Sequence, residues 1–135
     1  LKNKPDGSHE LPEEVAEWGT FDSEVLVGSY TGHEANEIGA DIKNLAVDHP
    51  ILRGVAPVAW HSLGSLYNTG KIADGALCLQ EGSIPGVAEA VTWIREAAPG
   101  HGKVFYTSLG HPADFQEPAF RQLLVNGIKW SLGTL

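Results

Sequence analysis

The residues best suited to chemistry are histidines and tyrosines beside glycine- and proline-marked turns. His111 stands in Leu109-Gly110-His111-Pro112. Imidazole titrates near neutral pH, transfers protons and coordinates metals, so His111 is a candidate catalytic acid or base. A histidine there can also simply close the turn by bonding backbone. His33 and Glu34 are adjacent in the polar loop Ser29–Asn36. A carboxylate beside a histidine tunes it as a base, which makes both candidate catalytic residues; a solvated loop pair is the other reading. His49 precedes Pro50 and is a candidate substrate contact, or a cap on the next segment through its side chain. Tyr67, next to Asn68-Thr69-Gly70, and Tyr30, three residues before His33, are candidate substrate contacts, since an aromatic face suits the apolar face of a sugar ring. Trp60, Trp93 and Tyr106 have the same chemistry, but Trp93 and Tyr106 fall on expected neighbouring strands and read as cross-strand partners. Asp114 and Glu117 either orient His111 or place negative charge at the start of the following helix, and their position favours the helix.

A metal held by His33, His49 and His111 with a carboxylate is conceivable. No pair shows HExxH or another tight ligand spacing, so the spacing does not support a metal and any cofactor is left unassigned. The single cysteine, Cys78, excludes an internal disulfide framework and a cysteine-rich zinc site. His9, His61 and His101 have weaker cases.

The elements that must position these groups begin with a strand over Lys103–Leu109, rich in β-branched and aromatic residues. Gly110 permits a sharp turn and Pro112 turns His111 away from helix. A helix is expected over Pro118–Ser131, with proline at its first position and Gly133 past its end. Phe120, Leu123, Leu124, Gly127 and Ser131 form its inward stripe. In open α/β sheets ligands collect at the carboxyl ends of strands, which is the place His111 occupies. Other strands are expected over Asp41–Val47, Ala76–Gln80 and Glu89–Arg95. The last should run antiparallel to Lys103–Leu109, because Glu96–Gly102 is short enough for a hairpin. Glu81–Gly86 reads as a loop, Val58–Ser65 as a short extended piece and Ile51–Val55 as a single turn. Short helices are expected over Leu11–Trp18 and from Phe21 to about Gly28. This inventory leaves one sheet face short of cover. A second subunit, or part of the domain upstream of Leu1, would supply it.

With 135 residues the chain can bury one real core. Hydrophobic content of 42% and charged content of 19% argue against disorder. A net charge of -8 disfavours nucleic acid and anionic membrane surfaces as partners and is compatible with a neutral small molecule such as a sugar. No apolar run approaches the roughly 20 residues of a membrane span. No signal peptide is visible, and the compartment is left open.

The ordered series Asp48-His-Pro-Ile-Leu-Arg-Gly-Val55, Gly64-Ser-Leu-Tyr67, Val91-Thr-Trp93 and Gly102-Lys-Val-Phe-Tyr-Thr-Ser-Leu-Gly-His111, with a helix ending Ile128-Lys-Trp-Ser-Leu-Gly133, resembles the ThuA-like family. These are trehalose-utilisation-type proteins of the class I glutamine amidotransferase-like superfamily. Phe21–His33 is similar to the segment preceding that core. The resemblance implies an incomplete flavodoxin-like α/β sheet: residues 1–20 would be a polar segment with a short helix, and 21–135 the C-terminal portion of a single domain. It implies a role in disaccharide or keto-sugar metabolism, with hydrolase- or lyase-like chemistry. His111-Pro112 resembles the His-Pro of glutamine amidotransferases, whose histidine serves as base. Their cysteine nucleophile has no counterpart, because Cys78 lies in the apolar run Ala76–Gln80 and not on a glycine-flanked elbow. The chain therefore reads as a carbohydrate-active protein but not an amidotransferase. Ser65 stands where many relatives carry an acid. A non-catalytic carbohydrate-binding or protein-interaction domain is the alternative.

Overall fold

The computed structural model describes residues 2–3, 9–10, 20–35, 38–55, 60–96 and 102–135. The helix expected over Leu11–Trp18 and the side chains of His9 and His101 lie outside this description. In chain order the strands are β1 (Lys2–Asn3), β2 (His9–Glu10), β3 (Gly32–His33), β4 (Ala40–Asn44), β5 (Trp60–Ser62), β6 (Tyr67–Asn68), β7 (Ala76–Ile84), β8 (Val87–Arg95) and β9 (Val104–Thr107), followed by helix α1 (Pro118–Ser131). Five of them form one sheet in the order β5-β4-β7-β8-β9. Every neighbouring pair in it is antiparallel. Two short ribbons, β1–β2 and β3–β6, are antiparallel as well.

The expected hairpin between Glu89–Arg95 and Lys103–Leu109 forms, with Trp93 opposite Tyr106 and Ile94 opposite Phe105. The wider flavodoxin-like expectation is corrected to a coarser one. The fold is α/β, but the described sheet has no parallel pair, which is atypical of a flavodoxin-like sheet. The strand-end rule for parallel sheets therefore does not account for the place of His111, since strand ends alternate in an antiparallel sheet. Glu81–Gly86 is not a loop either: Glu81–Ile84 continue β7, and only Pro85 and Gly86 connect it to β8. Glu, Gly and Ser are poor strand formers. Packing overrides that preference at Gly82, where a Cβ would lie 2.7 Å from Val91 Cγ1 and 2.8 Å from Leu66 Cδ1.

The segment Asp22–Leu26 is a single wide helical turn, and Pro50–Leu52 is one 3-10 turn. Helix α1 begins on Pro118 and ends where Gly133 adopts φ 71° and donates its N–H to the Trp130 carbonyl at 3.0 Å. Its inward side carries Phe120, Leu123, Asn126, Gly127 and Trp130, whereas Ser131, expected inside, is exposed. Phe120, Leu123 and Trp130 join Ile51, Leu52, Leu79 and Ile94 in the main core. Gly127 lets the helix close on β9, since a Cβ there would sit 2.5 Å from Phe105 Cε1. A second cluster, Ala40, Ile42, Leu66 and Val91, meets the first through Trp60 and Leu109. No described helix is long and apolar enough to cross a membrane.

A polar row crosses this core. Asn44, Gln80, Thr92 and Thr107 stand opposite one another on β4, β7, β8 and β9. Gln80 Nε2 donates to Asn44 Oδ1 at 2.8 Å, Thr92 Oγ1 donates to Gln80 Oε1 at 2.9 Å, and Thr92 and Thr107 hydroxyls are 3.0 Å apart. Gln80 and Thr92 are both 0% exposed, so each depends on these partners for its hydrogen bonds. Register shifts flank Gln80, between Cys78 and Gln80 and between Gln80 and Glu81, and bring its amide into line with Thr92. Thr92→Val keeps the shape but leaves the Gln80 carbonyl oxygen without its donor. The expected loss is about 1–3 kcal/mol, read as a lower urea midpoint with an unchanged slope.

Candidate functional site

A cleft of about 480 Å³ opens between two loops. Residues 62–65 and Tyr67 form one side, and residues 108–111 the other. The first loop leaves β5 and enters β6; the second leaves β9 and leads to the 3-10 turn Asp114–Gln116. Among these lining residues none is Asp, Glu, Lys or Arg. The cleft offers hydroxyls (Ser65, Ser108, Tyr67), one imidazole and one aromatic face.

A single buried carboxylate holds the two sides together. Asp114 is 1% exposed. Its Oδ2 accepts the N–H of Gly110 at 3.1 Å and of His111 at 3.0 Å. Ser62 Oγ lies 3.0 Å from Oδ1 and 2.9 Å from Oδ2, donating its hydrogen to the carboxylate. The same Ser62 Oγ accepts the N–H of Gly64 at 3.1 Å. The loops touch as a result: a Cβ on Gly64 would lie 3.3 Å from His111 Cβ. Asp114 thus orients the His111 turn. Helix α1 starts four residues later, and Glu117 at its N-cap makes no side-chain cap bond. Neither Ser62 nor its pairing with Asp114 is visible in the chain order, because 52 residues separate them.

His111 lines the cleft and is exposed, with its Nδ1 accepting the Ala113 N–H at 3.2 Å. Tyr67 lines the same cleft. Behind it the aromatic residues converge: the Tyr30 ring lies 4.9 Å from Tyr67, and the His33 ring 6.3 Å from Tyr67. The β3–β6 ribbon causes this, since His33 pairs directly with Tyr67. His33 Nδ1 donates to the Glu34 carbonyl at 2.8 Å, so it is the main chain of Glu34, and not its carboxylate, that holds the ring. Tyr67 and His111 thus share the cleft, whereas His33 and Tyr30 cluster with Tyr67 and are not among the cleft-lining residues.

The remaining candidates separate from this group. His49 lies in a second groove, of about 400 Å³, with Leu45, Val47 and Leu77. It accepts the Ile51 N–H at 3.2 Å, which makes it the cap of the 3-10 turn. It also packs edge-on against Trp130, and burial pulls its pKa down, partly offset by Glu96. Trp93 and Tyr106 are stacked cross-strand partners with centroids 3.9 Å apart, and Trp93 Nε1 donates to the Leu26 carbonyl at 2.7 Å. Burial, then Tyr67 and Asp22, push the Tyr106 phenol up. Trp60 packs on Phe120 in the core. Cys78 is held as a thiol, its pKa raised by burial and by Glu81. Among the described residues no three His, Cys, Asp or Glu side chains converge as a metal-binding group.

Two outcomes follow from these contacts. Asp114→Ala strands the Gly110 and His111 amides and the Ser62 hydroxyl, and a stability loss of about 1.5–3 kcal/mol is expected. Asp114→Asn keeps an acceptor oxygen and should cost less, both read by urea denaturation. For His49, the folded-state pKa lies below 6.5. Its contribution to stability is therefore full above pH about 6.5 and is lost as pH falls through the lowered folded value. His49→Asn retains a cap acceptor and should flatten that part of the stability–pH curve, as measured by denaturation between pH 7.5 and 5.

No curated protein and no solved structure matches the chain. A family model described as trehalose utilisation matches residues 9–131. That span holds both sides of the cleft, the aromatic cluster, Asp114 and helix α1, so it is with its whole described core that this chain belongs to the ThuA, or trehalose-utilisation, family.

Proposed function

We propose that the chain binds and transforms a neutral carbohydrate, a disaccharide or its oxidised keto form, by hydrolase- or lyase-like chemistry with histidine as acid and base. The observation that carries this reading is the meeting of Tyr67 and His111 on one cleft that has no formally charged side chain on its wall, in a chain of a carbohydrate-utilisation family. A sugar needs hydroxyl partners and an aromatic face more than it needs counter-charge. Ser65, Ser108 and Tyr67 supply the hydroxyls, and Tyr67 with Tyr30 supplies the face. His111 meets the substrate directly. His33 provides the second ionisable ring, and Glu34 positions it through its carbonyl.

A non-catalytic carbohydrate-binding domain is the second reading. The bond from Ala113 N–H to His111 Nδ1 favours it, because turn closure alone accounts for that contact. His111→Ala separates the two. Turnover and binding are measured in parallel, with trehalose and 3-keto-trehalose as probes. The catalytic reading expects turnover to fall about 100-fold or more while binding by calorimetry is largely retained. Unchanged turnover removes His111 from the chemistry; binding without turnover in the unsubstituted chain supports the second reading.

A further inference from the structure

The main chain assigns a different tautomer to each of the two histidines, and this bears on which of them moves the proton in the site proposed above. His33 Nδ1 lies 2.8 Å from the Glu34 carbonyl oxygen. A carbonyl only accepts, so Nδ1 carries the hydrogen, and the neutral ring leaves Nε2 with a lone pair. His111 Nδ1 lies 3.2 Å from the Ala113 amide nitrogen. An amide N–H only donates, so Nδ1 holds the lone pair, and the neutral ring carries its hydrogen on Nε2. The two settings do not depend on each other. The first belongs to the β3–β6 ribbon, the second to the turn that Asp114 holds through the His111 and Gly110 amides.

We infer that His33 is the proton acceptor of the site and His111 its N–H donor, the opposite of the base role that the His111-Pro112 context implies. The inference rests on the carbohydrate reading for its substrate, but the tautomers stand on the two backbone bonds alone. With Nδ1 engaged by the Ala113 N–H, the group His111 has left to present to a substrate is its Nε2–H, a donor. A neutral imidazole can stabilise developing negative charge on a substrate oxygen by hydrogen bonding. For a keto-sugar the step balances simply. The C–H bond next to the carbonyl breaks and its proton passes to His33 Nε2. The electron pair moves into the carbonyl to form the enolate. The hydrogen on His111 Nε2 stays on nitrogen and hydrogen-bonds the oxygen that gains charge. Tyr67 shares the cleft wall with His111, and its ring centroid lies 6.3 Å from that of His33.

Nitrogen-15 NMR of the imidazole nitrogens in the full chain, above the histidine titration range, tests the tautomers. His33→Gln and His111→Gln spectra assign the signals. The expected result is hydrogen on Nδ1 of His33 and on Nε2 of His111; the reverse tautomer at either ring overturns the inference. Turnover of 3-keto-trehalose tests the roles. Gln at position 111 can present an N–H near the place of Nε2, so His111→Gln should recover about tenfold or more of the activity lost in His111→Ala. His33→Gln, which has no basic nitrogen, should fall as far as His33→Ala. Equal loss in His111→Gln and His111→Ala, with His33→Gln still active, overturns the assignment. Failure of the unsubstituted chain to turn over any sugar counts against the carbohydrate reading, whereas the spectra decide the tautomers with or without turnover.

Discussion

Asp114 gives the cleft its shape because an almost fully buried carboxylate must have its oxygens met by donors. Those donors are the Gly110 and His111 amides on one side and the Ser62 hydroxyl on the other. Leaving any of them unpaired is costly, so the β5 exit and the β9 exit are drawn to a common point. Ser62 in turn holds the Gly64 amide, which fixes the loop facing His111. The two loops could otherwise vary independently, since nothing in the sheet register links β5 to β9 across the three strands between them.

The sheet supplies the complementary support from behind. The row Asn44, Gln80, Thr92 and Thr107 sets four strands at one level. Thr107 Oγ1 then accepts the Leu109 N–H at 3.2 Å, carrying that order into the cleft wall. The turn at His111 is thus held from two directions: by Thr107 through Leu109 and by Asp114 through Gly110 and His111. Helix α1 closes the far side of the core, and Asn126 ties it to the 3-10 turn through the Ile51 and Arg53 carbonyls, both at 2.8 Å. An antiparallel sheet with this internal polar row is a stiff platform for a small site, because each member satisfies its neighbour.

The cleft wall carries no formally charged side chain. The chain carries a net charge of -8. Asp114, which joins the two cleft loops, is nonetheless buried and engaged by donors of the protein itself. What faces the opening is hydroxyl, imidazole and phenol. The two histidines draw their orientation from main-chain atoms, not from carboxylates. Asp114 acts on His111 only through the amides of its turn, not through the ring.

Much of this was legible along the chain. Local pattern was enough for the hairpin of Glu89–Arg95 with Lys103–Leu109, for the start and end of α1 at Pro118 and Gly133, and for the turn at His111, because turn residues and side-chain period act over a few positions. The ordered family motifs carried the trehalose-utilisation kinship, and Tyr67 stood out as the better placed aromatic beside a turn. What the tertiary structure alone decided depends on distant pairs. Gln80 meets Thr92 only between two register shifts. Glu81–Ile84 became strand because Gly82 had to admit Val91 and Leu66, a packing demand that strand propensity does not contain. Asp114 read as a helix-end charge until Ser62, 52 residues earlier, came within 3.0 Å of it. Residue types and short-range spacing named the histidines; long-range pairing decided that His111 shares a cleft with Tyr67, that His33 stands opposite Tyr67, and that His49 lies in a separate groove, because strand pairing and burial bring distant segments together.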